Sequence, residues 1–357
     1  MRPRVLLATG LIVASCLASP KIIPGLSGAE SLPHKLSDRE FWNMTTEFSE
    51  ADGYFRSDNL LSNELAFPAV LPELVKTAPA ARVYLGVGPE QNFNYIAALR
   101  PKMAFIVDIR RGNRNLHLLY KALFELSSDR GDFVSMLFSR PRPPGLSAAS
   151  TPRQIFSAFS TLEPSEELYR KNLEAITDDL TKKHEFGLSS GDVNGIEFVY
   201  GAFRDFGPQI HYSSSQGGFG FGGFNQPSYA DLMTAVDLGG HPASYLATEQ
   251  SFRILKGLES ANLLVPVVGN FGGPKAIRAV AQYLRDHNAT VSAFYLSNVE
   301  MYLSQQNLWE DFCRNVAALP LDEGSIFIRA ARGGGYGRRI GLNLALASIA
   351  SDVQACQ

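Results

Sequence analysis

The chain has 357 residues, 45% of them hydrophobic and 19% charged, and a net charge of -2. That length allows about two domains, or one large domain with an insertion, and a substantial buried core. The near-neutral balance excludes the basic footprint of a nucleic-acid binder, and the apolar content excludes a disordered chain.

The N-terminus is basic at Met1-Arg2-Pro3-Arg4, apolar from Val5 to Val13 and then small at Ala14, Ser15 and Cys16. This is the order of a secretory signal, read here over residues 1–20, and its apolar run is too short to cross a hydrocarbon core of about 30 Å. Val13-Ala14-Ser15-Cys16 is similar to a bacterial lipobox, in which Cys16 is lipidated. Ordinary cleavage nearby and a mis-assigned start stay open beside it. The expectation is an exported protein, periplasmic or held at the membrane only through lipid on Cys16, and cytoplasmic if the start is mis-assigned. Cys313 and Cys356 lack a metal-type spacing, and whether they pair is open.

Residues 21–36 are rich in Pro, Gly and Ser and read as a linker. Ser37-Asp38-Arg39-Glu40 has the S-x-x-E form of a capping box and predicts an amphipathic helix to about Glu50. A polar and aromatic loop from Gly53 to Asn59 follows, then a second helix carrying Leu65, Val70, Leu71 and Leu74. Residues 37–79 are thus expected to form an N-terminal helical cover.

From Arg82 the pattern becomes strand, glycine turn, helix and strand, with strands over 83–88 and 104–108 and a helix over 91–99. A helix over 116–126 and a strand over 133–137 are predicted to complete the first half of a core at 80–139. The alternation stops at Arg140-Pro141-Arg142-Pro143-Pro144-Gly145, so 140–260 reads as a large, mainly helical insertion. It holds a helix near 165–183, a short apolar segment over 196–200, and a Phe-interleaved glycine loop over 216–224 that reads equally as a lid or a surface loop. The core resumes over 261–348, with strands at 262–268 and 290–296, a helix over 274–287, and a closing antiparallel pair from 325–329 and 339–346.

Gly86-x-Gly88 ends the first strand and Asp108 the second, about 20 residues on, the spacing of dinucleotide and nucleoside sites. The glycines let a ligand approach the backbone, and a carboxylate at the strand tip accepts hydrogen bonds from ribose hydroxyls. Pro89-Glu90-Gln91-Asn92 stands where a third glycine would, which leaves less open backbone for a pyrophosphate and counts against nicotinamide cofactors.

Over residues 80 to 138, and more loosely 260 to 346, the chain resembles class I S-adenosylmethionine-dependent methyltransferases. The resemblance implies an α/β, Rossmann-like, mostly parallel sheet of that type, with S-adenosylmethionine as cofactor. Carried across by position, Gly86, Gly88, Glu90 and Asp108 would bind it. Gly269-Asn270-Phe271-Gly272-Gly273-Pro274 follows a strand where that family often has a polar residue beside Pro-Pro, which puts Asn270 near the substrate. Ser297-Asn298-Val299-Glu300 resembles the Ser-Asn tips of some transferases using the same cofactor. Asn298 and Glu300, with Arg56, are expected at the catalytic rim, and Asp58 and Asn59 on the substrate side. The whole chain is also similar to an uncharacterised bacterial family of hypothetical, often exported proteins, through Val265-Pro266-Val267-Val268-Gly269 and Phe294-Tyr295-Leu296-Ser297-Asn298-Val299-Glu300. That likeness brings no activity.

Each residue has a structural reading too. Asp108 with Arg110 and Arg111 reads as a solvated, ion-paired loop, and Asn298 and Glu300 as helix caps. Arg56, Asp58, Asn59, Asn63 and Glu64 read as a surface turn and cap, and His211 as structural rather than a base. S-adenosylmethionine is kept in the cytosol, whereas the N-terminus predicts export. The two functions carried forward are a methyltransferase-like protein of unknown acceptor, and a non-catalytic exported lipoprotein or binding module that retains the fold. The first takes a small-molecule ligand, the second a small ligand or another protein, and neither takes nucleic acid. No G-x-S-x-G elbow or metal-spaced His cluster is present, so a hydrolase stands third and no metal is expected.

Overall fold

The computed structural model describes residues 31–212, 214, 226–330 and 344–355. The signal reading with Cys16, and the glycine loop over 216–224, lie outside the described residues.

Ser37 and Glu40 close a capping box over α1 (Asp38–Glu47), which buries Phe41 and Met44. The second predicted helix is shorter than expected: Leu65 precedes a 3₁₀ turn at Phe67–Ala69, and α2 runs Leu71–Thr77. Pro68 and Pro72 lack the N–H that a continuous helix would need, so each sits at the start of a separate turn.

The βαβ unit is present as β1 (Val83–Gly86), α3 (Gln91–Leu99) and β2 (Met103–Asp108). After α4 (Arg111–Leu126) the expected strand over 133–137 is instead α5 (Arg130–Phe138). Asp129 accepts from the Asp132 amide to cap it, and Phe133, Val134, Leu137 and Phe138 are buried at helical spacing. Arg130 anchors its first turn, donating to the carbonyls of Ala148, Ser150, Leu246 and Ala247 and to Glu249. Helices α6 (Pro152–Phe159), α7 (Glu166–Asp178), α8 (Ser190–Phe206), α9 (Tyr229–Met233) and α10 (Glu249–Ser260) continue the insertion. The apolar segment 196–200 is part of α8.

The third strand therefore comes only after the insertion. It is β3 (Leu264–Val268), which pairs with β2 in parallel. Then come α11 (Ala276–Asp286), β4 (Val291–Ser297), α12 (Val299–Gln305), α13 (Trp309–Ala317), β5 (Ile326–Ala330), β6 (Leu344–Ser348) and α14 (Ile349–Ala355). The sheet order is β3-β2-β1-β4-β5-β6, parallel except for β6, which runs antiparallel on β5. Strands β1 to β3 are buried along their whole length, as a sheet covered on both faces requires. The architecture is α/β and Rossmann-like. Because the chain turns back across β1 to start β4, the carboxyl ends of β1 and β4 diverge and open a crevice.

Candidate functional site

The segment after α1 is strapped over that carboxyl edge. The Glu50 amide donates to Val268 O, the Gly53 amide to Ile109 O, and the Val268 amide to Ser49 Oγ. Glu50 also accepts from the amides of Lys275 and Ala276, capping α11. Residues 54–63 are thereby laid across the tips of the strands and roof a cavity of about 140 Å³.

The walls come from four strand ends: Gly88 after β1, Asp108 at the end of β2, Asn270 after β3, and Ser297 at the end of β4 with Asn298 after it. Asn59, Ser62 and Asn63 add polar groups from the roof, and Tyr54, Phe55, Tyr212 and Tyr302 add rings. Of the residues expected from sequence, Gly88, Asp108, Asn59, Asn270 and Asn298 meet here. Gly86, Glu90, Glu300, Arg56 and Asp58 are not on the wall, and each has another place.

Gly86 makes room for Asn92: a Cβ on it would come within 1.9 Å of Asn92 Oδ1. That amide accepts from Tyr84 Oη and donates to the carbonyls of Val87, Gly88 and Pro89, so one buried side chain sets the whole glycine turn. Fully buried His117 on α4 holds the same turn, with Nε2 2.9 Å from Gly88 O. Since a carbonyl only accepts, Nε2 carries the proton, and burial pushes this imidazole down to about 4. Gly88 itself has φ +76, and the space where a Cβ would stand is empty for 4 Å. This is open backbone facing a cavity, the property the glycine pattern implied.

Asp108 is buried and ion-paired rather than a solvated loop. Arg110 donates Nε to Oδ1 and Nη2 to Oδ2, both at 3.1 Å, and its amide donates to Oδ1 at 2.9 Å. The remaining guanidinium nitrogen reaches Ser57 O and Asp58 O, tying the roof to β2. Arg56 and Asp58 are exposed. Asn298 occupies the cap position of α12 but makes no side-chain cap bond, and Glu300 pairs with Arg329 at 3.1 Å.

Two buried carboxyls lie in the same layer. Glu64 accepts from Ser297 Oγ at 2.5 Å and Tyr295 Oη at 2.7 Å, and burial pushes it up to about 7. Glu90 accepts from the Ser62 amide at 3.2 Å, and burial pushes it up to about 8. Neither position is apolar in sequence, so no periodicity marked either as buried. Tyr212 and Tyr302 gave no signal either, because only the tertiary fold brings them to the strand tips.

A second ionic cluster lies near the amino end of β3. His184 stands between Asp38 on Nδ1, at 2.7 Å, and Glu125 on Nε2, at 2.8 Å. Glu125, Asp179 and His184 have ligand atoms within 4.8 Å of one another. Lys183 bridges Glu125 and Asp179 at 2.5 and 2.7 Å, and Lys121 holds the other Glu125 oxygen at 2.7 Å. These ammonium groups supply the countercharge that a metal ion would bring, so the cluster is a charge-balanced staple joining α1 and α4 to the π-helical turn Asp179–Lys183 that follows α7, and Asn262 just ahead of β3 ties Lys121 to Asp38. Cys313 on α13 is disulfide-bonded, and the other two cysteines lie outside the described residues. Among the described residues, no helix is long and apolar enough to cross a membrane.

No curated protein matches the chain. One family model, described as "Domain of unknown function (DUF7790)", matches residues 60–185 and 227–347, which take in the end of the roof from residue 60, both halves of the sheet and much of the insertion. The match covers more than half of the chain, which therefore belongs to the DUF7790 family.

Proposed function

We propose that the cavity binds a nucleoside-bearing small molecule of the S-adenosylmethionine class and that the protein is methyltransferase-like, with its acceptor not identified. The observation that carries this reading is the position of Gly88 and Asp108 on one cavity at the crevice between β1 and β4. The antiparallel edge strand after five parallel ones also supports it.

The residues fit such a ligand with one adjustment. A carboxylate offers about four lone-pair positions, and Arg110 with its amide takes three at Asp108. One position on Oδ2 is left, enough for a single ribose hydroxyl. Gly88 supplies open backbone for the amino-acid end, and the rings of Tyr54, Phe55 and Tyr302 supply stacking surface. The bound cofactor would bring an electrophilic methyl group. This chain's part is to hold the ligand, exclude water under the 54–63 roof and orient an acceptor near Asn298.

A second reading, an exported binding module without transfer chemistry, is favoured by two observations. Arg110 already occupies most of Asp108, and the Cys313 disulfide suits an oxidising compartment. Thermal denaturation of the full chain with the cofactor or its demethylated product separates the readings. The first expects stabilisation of about 2.7 kcal/mol at one hundred times Kd, and the second expects none.

A further inference from the structure

We propose that Ser297 and Glu64 form a nucleophile–base pair opening on the cavity, oriented by Tyr295, that reacts with small carboxylic esters. This goes beyond the nucleoside reading and uses neither Gly88 nor Asp108, so failure of cofactor binding leaves it standing.

Ser297 ends β4 and has φ +50, a left-handed conformation that strains the backbone of a non-glycine residue. The pairing of β4 with β5 is irregular just there, between Tyr295 and Ser297. Helix α12 starts two residues on, so the serine sits on a sharp turn from strand to helix at the top of a parallel sheet. That is the local geometry which exposes a nucleophilic hydroxyl in the nucleophile-elbow arrangement, reached here without its flanking glycines. Ser297 is half-buried and lines the cavity, and its Oγ is 2.5 Å from Glu64 Oε1. The second carboxylate oxygen is fixed by Tyr295 Oη at 2.7 Å. Nucleophile, base and orienting group are thus within hydrogen-bond reach in sequence.

Burial places the Glu64 carboxyl near neutrality, at about 7, where a base is most useful. The titratable groups that face it are Tyr295, Tyr84, Tyr95 and Glu90. The three tyrosines stay protonated, since burial raises each of them.

In the step proposed, Ser297 Oγ bonds to the ester carbonyl carbon, its proton passes to Glu64 and the C=O π pair moves onto oxygen. Collapse re-forms the carbonyl and breaks the bond to the alcohol oxygen, which leaves with the proton from Glu64. Water then adds to the acyl carbon, gives its proton to Glu64, and Ser297 departs with that proton. Ester and water become acid and alcohol, and the pair is restored. Asn63, Asn270 and Asn298 line the same cavity, and in the proposed step the donors for the oxyanion come from their side chains.

The test uses a fluorophosphonate probe on the full chain, with intact mass and peptide mapping. Bond formation at phosphorus expels fluoride, and Glu64 takes the serine proton. One adduct per chain on Ser297 is expected, absent in Ser297→Ala and formed at least tenfold more slowly in Glu64→Gln, with circular dichroism showing each variant folded. In the wild type the labelling rate should rise through pH ~7. An unmodified Ser297 in the folded wild type, an adduct on another serine, or a flat pH profile overturns the proposal. So does an unchanged rate in folded Glu64→Gln.

Discussion

Arg110 closes its guanidinium on Asp108 two residues before it, through two 3.1 Å contacts between side chains that are only 9% and 6% exposed. The same guanidinium holds the roof through Ser57 O and Asp58 O, so the ion pair fixes both a wall and the lid of the cavity. Removing one member leaves a buried charge uncompensated. Arg110→Ala should cost about 3 kcal/mol in urea denaturation, and Arg110→Ala with Asp108→Ala should cost clearly less than the sum of the single changes. Additive costs would contradict the pairing.

Gly86→Ala tests the lock on the glycine turn. The new methyl would overlap Asn92 Oδ1, which is itself held by Tyr84 Oη, so the amide must leave its three carbonyls. A loss of about 1–3 kcal/mol is expected. Wild-type stability in the variant would show that Asn92 is free to move.

The sequence made the strands and the glycine–acid pair legible, because β1, β2, β3 and β4 are largely apolar runs bounded by turns. It misassigned α5 for a physical reason. Phe133-Val134-Ser135-Met136-Leu137 is a short run without clear periodicity, and whether such a run is strand or buried helix depends on what surrounds it. Arg130, with carbonyl partners over a hundred residues away, belongs to those surroundings. The polar patch at 56–64 was visible as a patch, but its division was not. Asn59 and Asn63 face the cavity, Glu64 is buried, and Arg56 and Asp58 are exposed, an arrangement set by where the strap crosses β2 and β3.

Glu90 makes stability depend on pH. Burial raises it from 4.5 to about 8, so the folded chain binds its proton more tightly than the unfolded chain. The linked stability is full below about 4.5 and is lost as pH rises through about 8. Glu90→Gln, which has no such proton to lose, should flatten the fall in unfolding free energy between pH 5 and 9 by ~4 kcal/mol. A slope identical to wild type would contradict the assignment.

His184 acts with the same sign at the other end of the sheet. Burial pushes its pKa down, but hydrogen bonds to Glu125 and Asp38 outweigh this and raise it above 6.5. Its contribution is full below 6.5 and is lost as pH rises through the folded value. His184→Gln should lower Tm by about 4 °C at pH 6, with the gap to wild type narrowing toward pH 9. A gap that does not change with pH would show that the ring acts by packing alone, against Phe186, whose centroid is 5.1 Å away.

The most direct test of the central claim is calorimetric titration of S-adenosylmethionine into the full chain, beside Asp108→Ala shown to be folded. The account predicts saturable one-site binding to the wild type, weakened about tenfold or more when the ribose contact is removed. No binding by the folded wild type would contradict it and leave the chain as a binding module for some other ligand.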